Sequence, residues 1–229
     1  MNVLVYGATG MVGQGVLREC LLAPDVDGVT AVGRTPLAQT HPKLKQLMVS
    51  EGVGTSDPAH DSDVALKGFD ACFFCLGVSA SGLSESDYHR MTYDLTLAVA
   101  RQLARMNPNM VFIYVSGAGT DSSEQGRSMW ARVKGKTENA LKALPFRSVY
   151  LFRPGLIQPL DGIRSKTPLY QRTDTVLGPL LSVVRWIFPS AIVTTRVVGQ
   201  AMLNAARQGE GRTVVEAKDL IPLARGFTP

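Results

Sequence analysis

The sequence predicts an α/β fold built on a doubly wound parallel sheet, and three observations carry that prediction. Short apolar runs bounded by turn residues alternate with stretches of helical periodicity, the order expected of consecutive βαβ units. The chain opens on such a run, Val3-Leu4-Val5-Tyr6, and passes at once into the glycine-rich segment Gly7-Ala8-Thr9-Gly10-Met11-Val12-Gly13. Its 229 residues, 45% hydrophobic and 19% charged, suffice for one large core without a metal or disulfide staple.

Met1 to Tyr6 is too short for a helix before Gly7 and reads as the first strand. From Met11 to Leu22, the residues Val12, Val16, Leu17 and Cys20 recur at helical spacing, and Pro24 ends that helix. Val29 to Val32 is a second strand and Leu47 to Val49 a weaker third, while the polar stretch 51–63 reads as loop. Asp70 to Leu76 is a fourth strand, apolar on both faces as buried parallel strands are. A long helix then runs from Ser84 to Met106, with Ser84 and Asp87 in capping-box spacing and Pro108 closing the far end. Met110 to Val115 gives the fifth strand, Met129 to Leu144 a helix, and Val149 to Phe152 the sixth strand. Four prolines and three glycines between 154 and 179 predict irregular chain; 180–188 and 195–206 read as helices and Thr213 to Val215 as a last strand. The expectation is a single domain over 1–229, with 156–229 contributing a small C-terminal substrate-side lobe.

The formal net charge is +5, spread without runs, which favours an anionic small ligand over nucleic acid. Three cysteines, an odd count, and an N-terminus without a basic region or cleavage site predict a reducing, cytoplasmic compartment. His41, His60 and His89 lack ligand spacing, so no metal is expected. Cys72 and Cys75 have C-x-x-C spacing, but side chains three apart on a strand point to opposite faces, which predicts core thiols. The apolar stretch 176–193 is interrupted by Pro179, Arg185 and Pro189 and falls short of the ~20 residues a membrane span needs, so no transmembrane segment is expected. It reads as a buried helix first, a dimer contact second and a membrane-surface helix third.

The glycines between the first strand and the first helix have separate chemical reasons. One permits the turn off the strand, one lets a pyrophosphate approach bare backbone, and one lets the helix pack close to the sheet. The helix N-terminus then offers N–H groups and partial positive charge to the phosphates. These features make the sheet Rossmann-like and Gly7, Thr9, Gly10, Met11, Val12 and Gly13 the phosphate-binding residues. The second strand ends Gly33-Arg34-Thr35 without a carboxylate to hold a ribose 2′-OH. Arg34, with Thr35, fits a 2′-phosphate instead, which predicts NADP in preference to NAD; a solvated turn arginine is the alternative.

The spacing Tyr6-Gly7-Ala8-Thr9-Gly10-Met11-Val12-Gly13 resembles the extended and atypical branches of the short-chain dehydrogenase/reductase superfamily, NmrA-like and Tat-interacting-protein-like members above all. The resemblance implies that Leu76 and Gly77, after the fourth strand, border the adenosine half of the cofactor. It implies a catalytic serine at Ser116, at the end of the fifth strand, and a nicotinamide border at Pro154 and Gly155. It also implies a Tyr-x-x-x-Lys pair on the following helix, which would donate a proton and hold the nicotinamide ribose. Lys134 stands in the lysine place, but the tyrosine place holds Trp130, whose indole N–H has no useful pKa. Gly117 through Arg127 reads as a polar loop over the site or a plain surface connection.

Two functions follow. One is an NADP-dependent oxidoreductase or epimerase-like enzyme acting on a small molecule, with Ser116 and Lys134 as its catalytic residues. The other is a non-catalytic NADP(H)-sensing protein that reports to a protein partner or acts as a homodimer.

Overall fold

The computed structural model describes residues 1–49, 66–163, 192–209 and 213–226. The expected loop at 51–63 and helix at 180–188 lie outside them. Seven parallel strands form the main sheet: β1 (Asn2–Tyr6), β2 (Gly28–Gly33), β3 (Leu44–Met48), β4 (Ala71–Phe74), β5 (Val111–Val115), β6 (Ser148–Arg153) and β9 (Val214–Glu216). Their spatial order is β3-β2-β1-β4-β5-β6-β9, so the winding reverses between β1 and β4. Ligands of open α/β sheets bind at such a reversal, beyond the carboxyl ends of the strands.

Both faces of the central strands β1, β4, β5 and β6 are covered, which is why these read as apolar runs, while the edge strand β3 stays largely exposed. On one face, α1 (Met11–Leu22), α5 (Thr195–Gln208) and α6 (Ala217–Ala224) pack over Val3, Val5, Phe73, Ile113 and Phe152. On the other, α3 (Leu95–Met106) and α4 (Met129–Lys142) pack over Leu4, Phe74, Phe112, Tyr114 and Leu151. Cys72 belongs to this second layer and Cys75 to the first, so the two thiols face opposite sides of the sheet. Burial pushes the Cys75 thiol up to about 12 and raises those of Cys20 and Cys72 as well. Such thiols stay protonated and unreactive.

The contact between α1 and α5 depends on two glycines. A Cβ on Gly15 would lie 2.8 Å from Thr195 Cβ, and one on Gly199 would lie 3.0 Å from the Gly15 carbonyl oxygen. Part of the stretch 156–229 therefore closes the main layer: α5 packs on α1, and β9 extends the sheet beside β6. A second small sheet pairs β7 (Leu156–Gln158) with β8 (Ile192–Thr194).

Several boundaries differ from the sequence expectation. The third strand spans Leu44–Met48, starting three residues earlier than Leu47, because pairing with β2 decides its extent. β7 occupies chain expected to be irregular, and α6 was not anticipated, since it carries Pro222 inside it. The long helix is divided into α2 (Glu85–His89), a π turn (Arg90–Asp94) and α3. Ser84 caps α2 as expected, its Oγ accepting from Asp87 N–H at 3.1 Å. The π turn brings the His89 and Tyr93 ring centroids to 4.7 Å.

Candidate cofactor and active site

The glycine loop leaves β1 with Gly7 at φ +80, in the left-handed region that glycine alone enters freely. Gly10 caps α1 with its amide donating to Gly7 O at 2.9 Å, and as a glycine it brings no side-chain cap to the first turn of the helix. The remaining glycines act through space. A Cβ on Gly13 would lie 2.0 Å from Gly7 O, so the helix can sit on the loop only without one. A Cβ on Gly7 would come within 2.9 Å of Cys75 and Leu76 backbone atoms, so the loop after β4 runs directly against the phosphate loop.

This cradle of bare backbone at an uncapped helix N-terminus fits a pyrophosphate. Thr9, Met11 and Val12 lie in the same turn, and Gln14 Nε2 steadies it by donating to Thr9 O at 3.1 Å. Leu76 and the exposed Gly77 flank it, and Arg34 and Thr35, both exposed, follow the carboxyl end of the adjacent β2.

The other end of the cleft is assembled around β5. The β5–β6 ladder continues past both strands: Ser116 N–H donates to Phe152 O at 2.8 Å and Ala118 N–H to Pro154 O at 2.9 Å. These bonds bring the Ser116 turn alongside Pro154 and Gly155. Ser116 Oγ lies 2.7 Å from Thr120 Oγ1, while Thr120 Oγ1 donates to Gly117 O at 2.8 Å. A hydroxyl has one proton, so Ser116 is the donor of the pair and keeps lone pairs to accept with.

Lys134 projects from α4 over the Tyr114 ring, its Nζ 5.2 Å from the centroid and 3.4 Å from Val115 O. Burial pushes its amine down to about 8, against the pull of the Glu138 carboxylate one turn on. Trp130, one turn before Lys134, lies over the Gly117–Gly119 turn: a Cβ on Gly119 would be 3.6 Å from the indole. Ser116, Lys134, Pro154 and Gly155 are thus gathered at one strand edge, while Tyr114 and Tyr88 are buried with phenols raised by desolvation.

Sequence reading missed what holds this end together. Glu138 is 0% exposed and forms a two-point ion pair with Arg153, whose Nε lies 3.0 Å from Glu138 Oε1. Arg153 also reaches Glu216 at 3.1 Å and Ser122 Oγ at 2.6 Å. One guanidinium therefore ties α4, β6, β9 and the 117–127 loop together. The loop is fastened further by Asp121 N–H to Ala131 O at 3.1 Å and by Arg132 to Gly126 O at 2.8 Å. A Cβ on Gly135 would lie 1.7 Å from Asp121 O, so helix and loop touch backbone to backbone. The signals were present: a glycine inside a helical pattern, and Lys134 and Glu138 four residues apart.

Among the described residues no group of His, Cys, Asp and Glu is arranged to hold a metal, and no helix is long and apolar enough to cross a membrane. No family model matches the chain. Individual proteins do. Protein fmp52 of Emericella nidulans is 31% identical over 160 residues, 68% of this chain and 66% of that protein. Protein fmp52-1 of Aspergillus terreus is 30% identical over 209 residues, 89% of this chain and 86% of that protein. Protein HTATIP2 of Rattus norvegicus is 28% identical over 225 residues, 98% of this chain and 89% of that protein.

Among solved structures, MoeE5 in complex with UDP-glucose and NAD aligns with a TM-score of 0.65 at 17% identity, covering 93% of this chain and 74% of that one. The Bordetella bronchiseptica enzyme WbmF in complex with NAD+ gives 0.62 at 17% identity, covering 96% and 76%. These likenesses show the shared fold. The fungal relatives are named as mitochondrial proteins, which overturns the cytoplasmic expectation. The physical reason is simple: reduced thiols mark a reducing compartment without distinguishing the cytosol from the interior of an organelle.

Proposed function

The chain belongs to the Fmp52 family of atypical short-chain dehydrogenases/reductases, and from that premise we propose that it binds NADP(H) and works as an oxidoreductase or epimerase-like enzyme on a small molecule. The observation that carries this reading is the uncapped N-terminus of α1 above a loop whose glycines leave no room for side chains. Gly7, Thr9, Gly10, Met11, Val12 and Gly13 would hold the pyrophosphate, and Leu76 and Gly77 the adenosine side. Arg34 and Thr35 would meet the 2′-phosphate that distinguishes NADP. Lys134 would hold the nicotinamide ribose, and Pro154 and Gly155 would border the ring. When bound, the reduced dinucleotide supplies a hydride. Ser116 would orient the substrate by accepting a hydrogen bond from its hydroxyl in the alcohol state, and 156–229 would contribute a substrate-side lobe. A mitochondrial location follows the names of the fungal relatives.

Trp130 at the acid position supports the second reading, a sensor that binds NADP(H) and reports it to a partner. Titration with NADPH and NADH, followed by energy transfer from tryptophan to the reduced nicotinamide, tests the cofactor: binding is expected, tighter for NADPH. Rapid-mixing spectra of the NADPH complex with carbonyl compounds then separate enzyme from sensor, since loss of the reduced-nicotinamide absorbance requires hydride transfer. Gain of turnover in Trp130→Tyr would show a site short only of an acid. No heat and no energy transfer with either dinucleotide, oxidised or reduced, would remove the reading altogether.

A further inference from the structure

We propose that Lys134 is itself the proton donor of this site, in the absence of a tyrosine at position 130; this rests on the dinucleotide-dependent reading above. The first support is the geometry of its ammonium. Among the described residues Nζ has one long hydrogen bond, 3.4 Å to Val115 O, and the Tyr114 ring face at 5.2 Å. An ammonium has three N–H donors, so this arrangement leaves protons to give. Val115 O belongs to the peptide that carries Ser116 N, which sets the amine beside the serine turn where a carbonyl would lie.

The second support is elimination among the described side chains around this strand end. Ser116 spends its proton on Thr120, which spends its own on Gly117 O. Tyr114 and Tyr88 are 1% and 2% exposed, and burial makes their phenols poorer acids. His89 and Tyr93 are engaged with Lys136, 3.3 Å from His89 Nε2 and 5.0 Å from the Tyr93 ring centre. Lys136 is two residues from Lys134 and so on another face of α4. Trp130 fills the space beside the Gly117–Gly119 turn with an indole whose N–H is far too weak an acid to transfer its proton.

The step balances. Hydride added to the carbonyl carbon drives the C=O pair onto oxygen, that oxygen takes H+ as one Lys134 N–H bond breaks, and an O–H bond forms. The carbonyl is reduced to an alcohol, NADPH is oxidised to NADP+, and the neutral amine regains a proton from water. Ser116 Oγ, an acceptor here, takes a hydrogen bond from the ammonium or the product hydroxyl. Burial holds the Lys134 amine at about 8, so it is mostly protonated near neutral pH yet a stronger acid than a solvated lysine.

The test uses the full chain with NADPH and 4-nitrobenzaldehyde as the carbonyl probe. The first measurement needs no variant: pulses of acetic anhydride from pH 6 to 11, read residue by residue by mass spectrometry, titrate each lysine. Lys134 is expected to reach half-reactivity near pH 8. The second measurement is single-turnover NADPH oxidation against pH, expected to fall above the same midpoint. Lys134→Arg keeps a cation that holds its proton; it is expected to slow oxidation about 100-fold or more and abolish that pH break. Its NADPH affinity, read by energy transfer, is expected to fall by about tenfold, the worth of one charged contact to the ribose and far less than the loss in rate. The inference is overturned if Lys134 labelling shows no midpoint near pH 8, if Lys134→Arg keeps the wild-type rate and pH profile, or if bound NADPH is never oxidised by the aldehyde. Failure to bind NADPH or NADH at all is a separate result: it removes the functional reading and this inference with it.

Discussion

The two ends of the cleft are built from different material. At the β1–α1 end the surface offered to a ligand is backbone, shaped by Gly7, Gly10 and Gly13 and closed by the loop after β4. At the β5–α4 end it is side chains, Ser116, Thr120, Trp130 and Lys134, held from behind by the Glu138–Arg153–Glu216 network. A backbone site depends on φ and on the absence of Cβ atoms, so it tolerates almost no substitution at its glycines. A side-chain site can change its chemistry while the scaffold stands, because substituting one of its residues need not move the backbone. The β1–α1 end is therefore fixed by backbone geometry, while the β5–α4 end is fixed by which side chains its elements carry.

Breaking the network behind the β5–α4 end should have the largest effect. Glu138→Gln leaves Arg153 with a buried, half-matched partner, and urea unfolding should show a loss of about 3–5 kcal/mol. Glu216→Gln, at a carboxylate 43% exposed, should cost under about 1 kcal/mol. Equal losses would mean that burial does not set the strength of this network.

At the opposite end, Gly13→Ala places a methyl 2.0 Å from Gly7 O and must displace α1. NADPH affinity should fall about 100-fold, or about 2.7 kcal/mol, by fluorescence titration. Gly33→Ala, with open space at its Cβ, is the matched control and should leave stability nearly unchanged. A tolerated Gly13→Ala would show that close packing of helix on loop is not what shapes the cradle.

Lys134→Met sharpens the contrast by removing a desolvated charge. The folded-state amine sits near 8, below its ordinary 10.5, so at pH 7 both states carry the charge but only the native state disfavours it. The variant should be more stable than the parent by about 1–2 kcal/mol at pH 7. The gain should shrink between pH 8 and 10.5, where the parent's amine becomes neutral. Thermal melts across that range check the sign, and a gain independent of pH would place the amine in solvent.

The smallest expected effect is at Arg34. Arg34→Asp should weaken NADPH by about 1.4 kcal/mol, tenfold, more than NADH. Equal weakening would take Arg34 away from the 2′-phosphate.

The nucleotide end was the more legible because its signals are local. Gly7 to Gly13 lie within seven consecutive residues, between a strand and a helix whose periodicities are plain. The β5–α4 end was half legible. Ser116 and Lys134 stood at readable positions, but Glu138, Arg153 and Glu216 span 78 residues and meet only when β6 and β9 pair. The π turn at Arg90–Asp94 has no periodic signature, and β7 exists only because β8, 36 residues later, supplies its partner. Pro222 disguised α6, although it falls late in the chain, beside the capping box that Glu216 and Asp219 build.

By itself the sequence determined the order of strands and helices and the bare-backbone loop, because periodicity and glycine's freedom act over a few bonds. Tertiary structure alone decided which way the Ser116 proton points and how tightly Lys134 holds its own. Those depend on a hydroxyl 2.7 Å away and on how much water α4 excludes, quantities that arise only when β5, α4 and the loop between them are in contact.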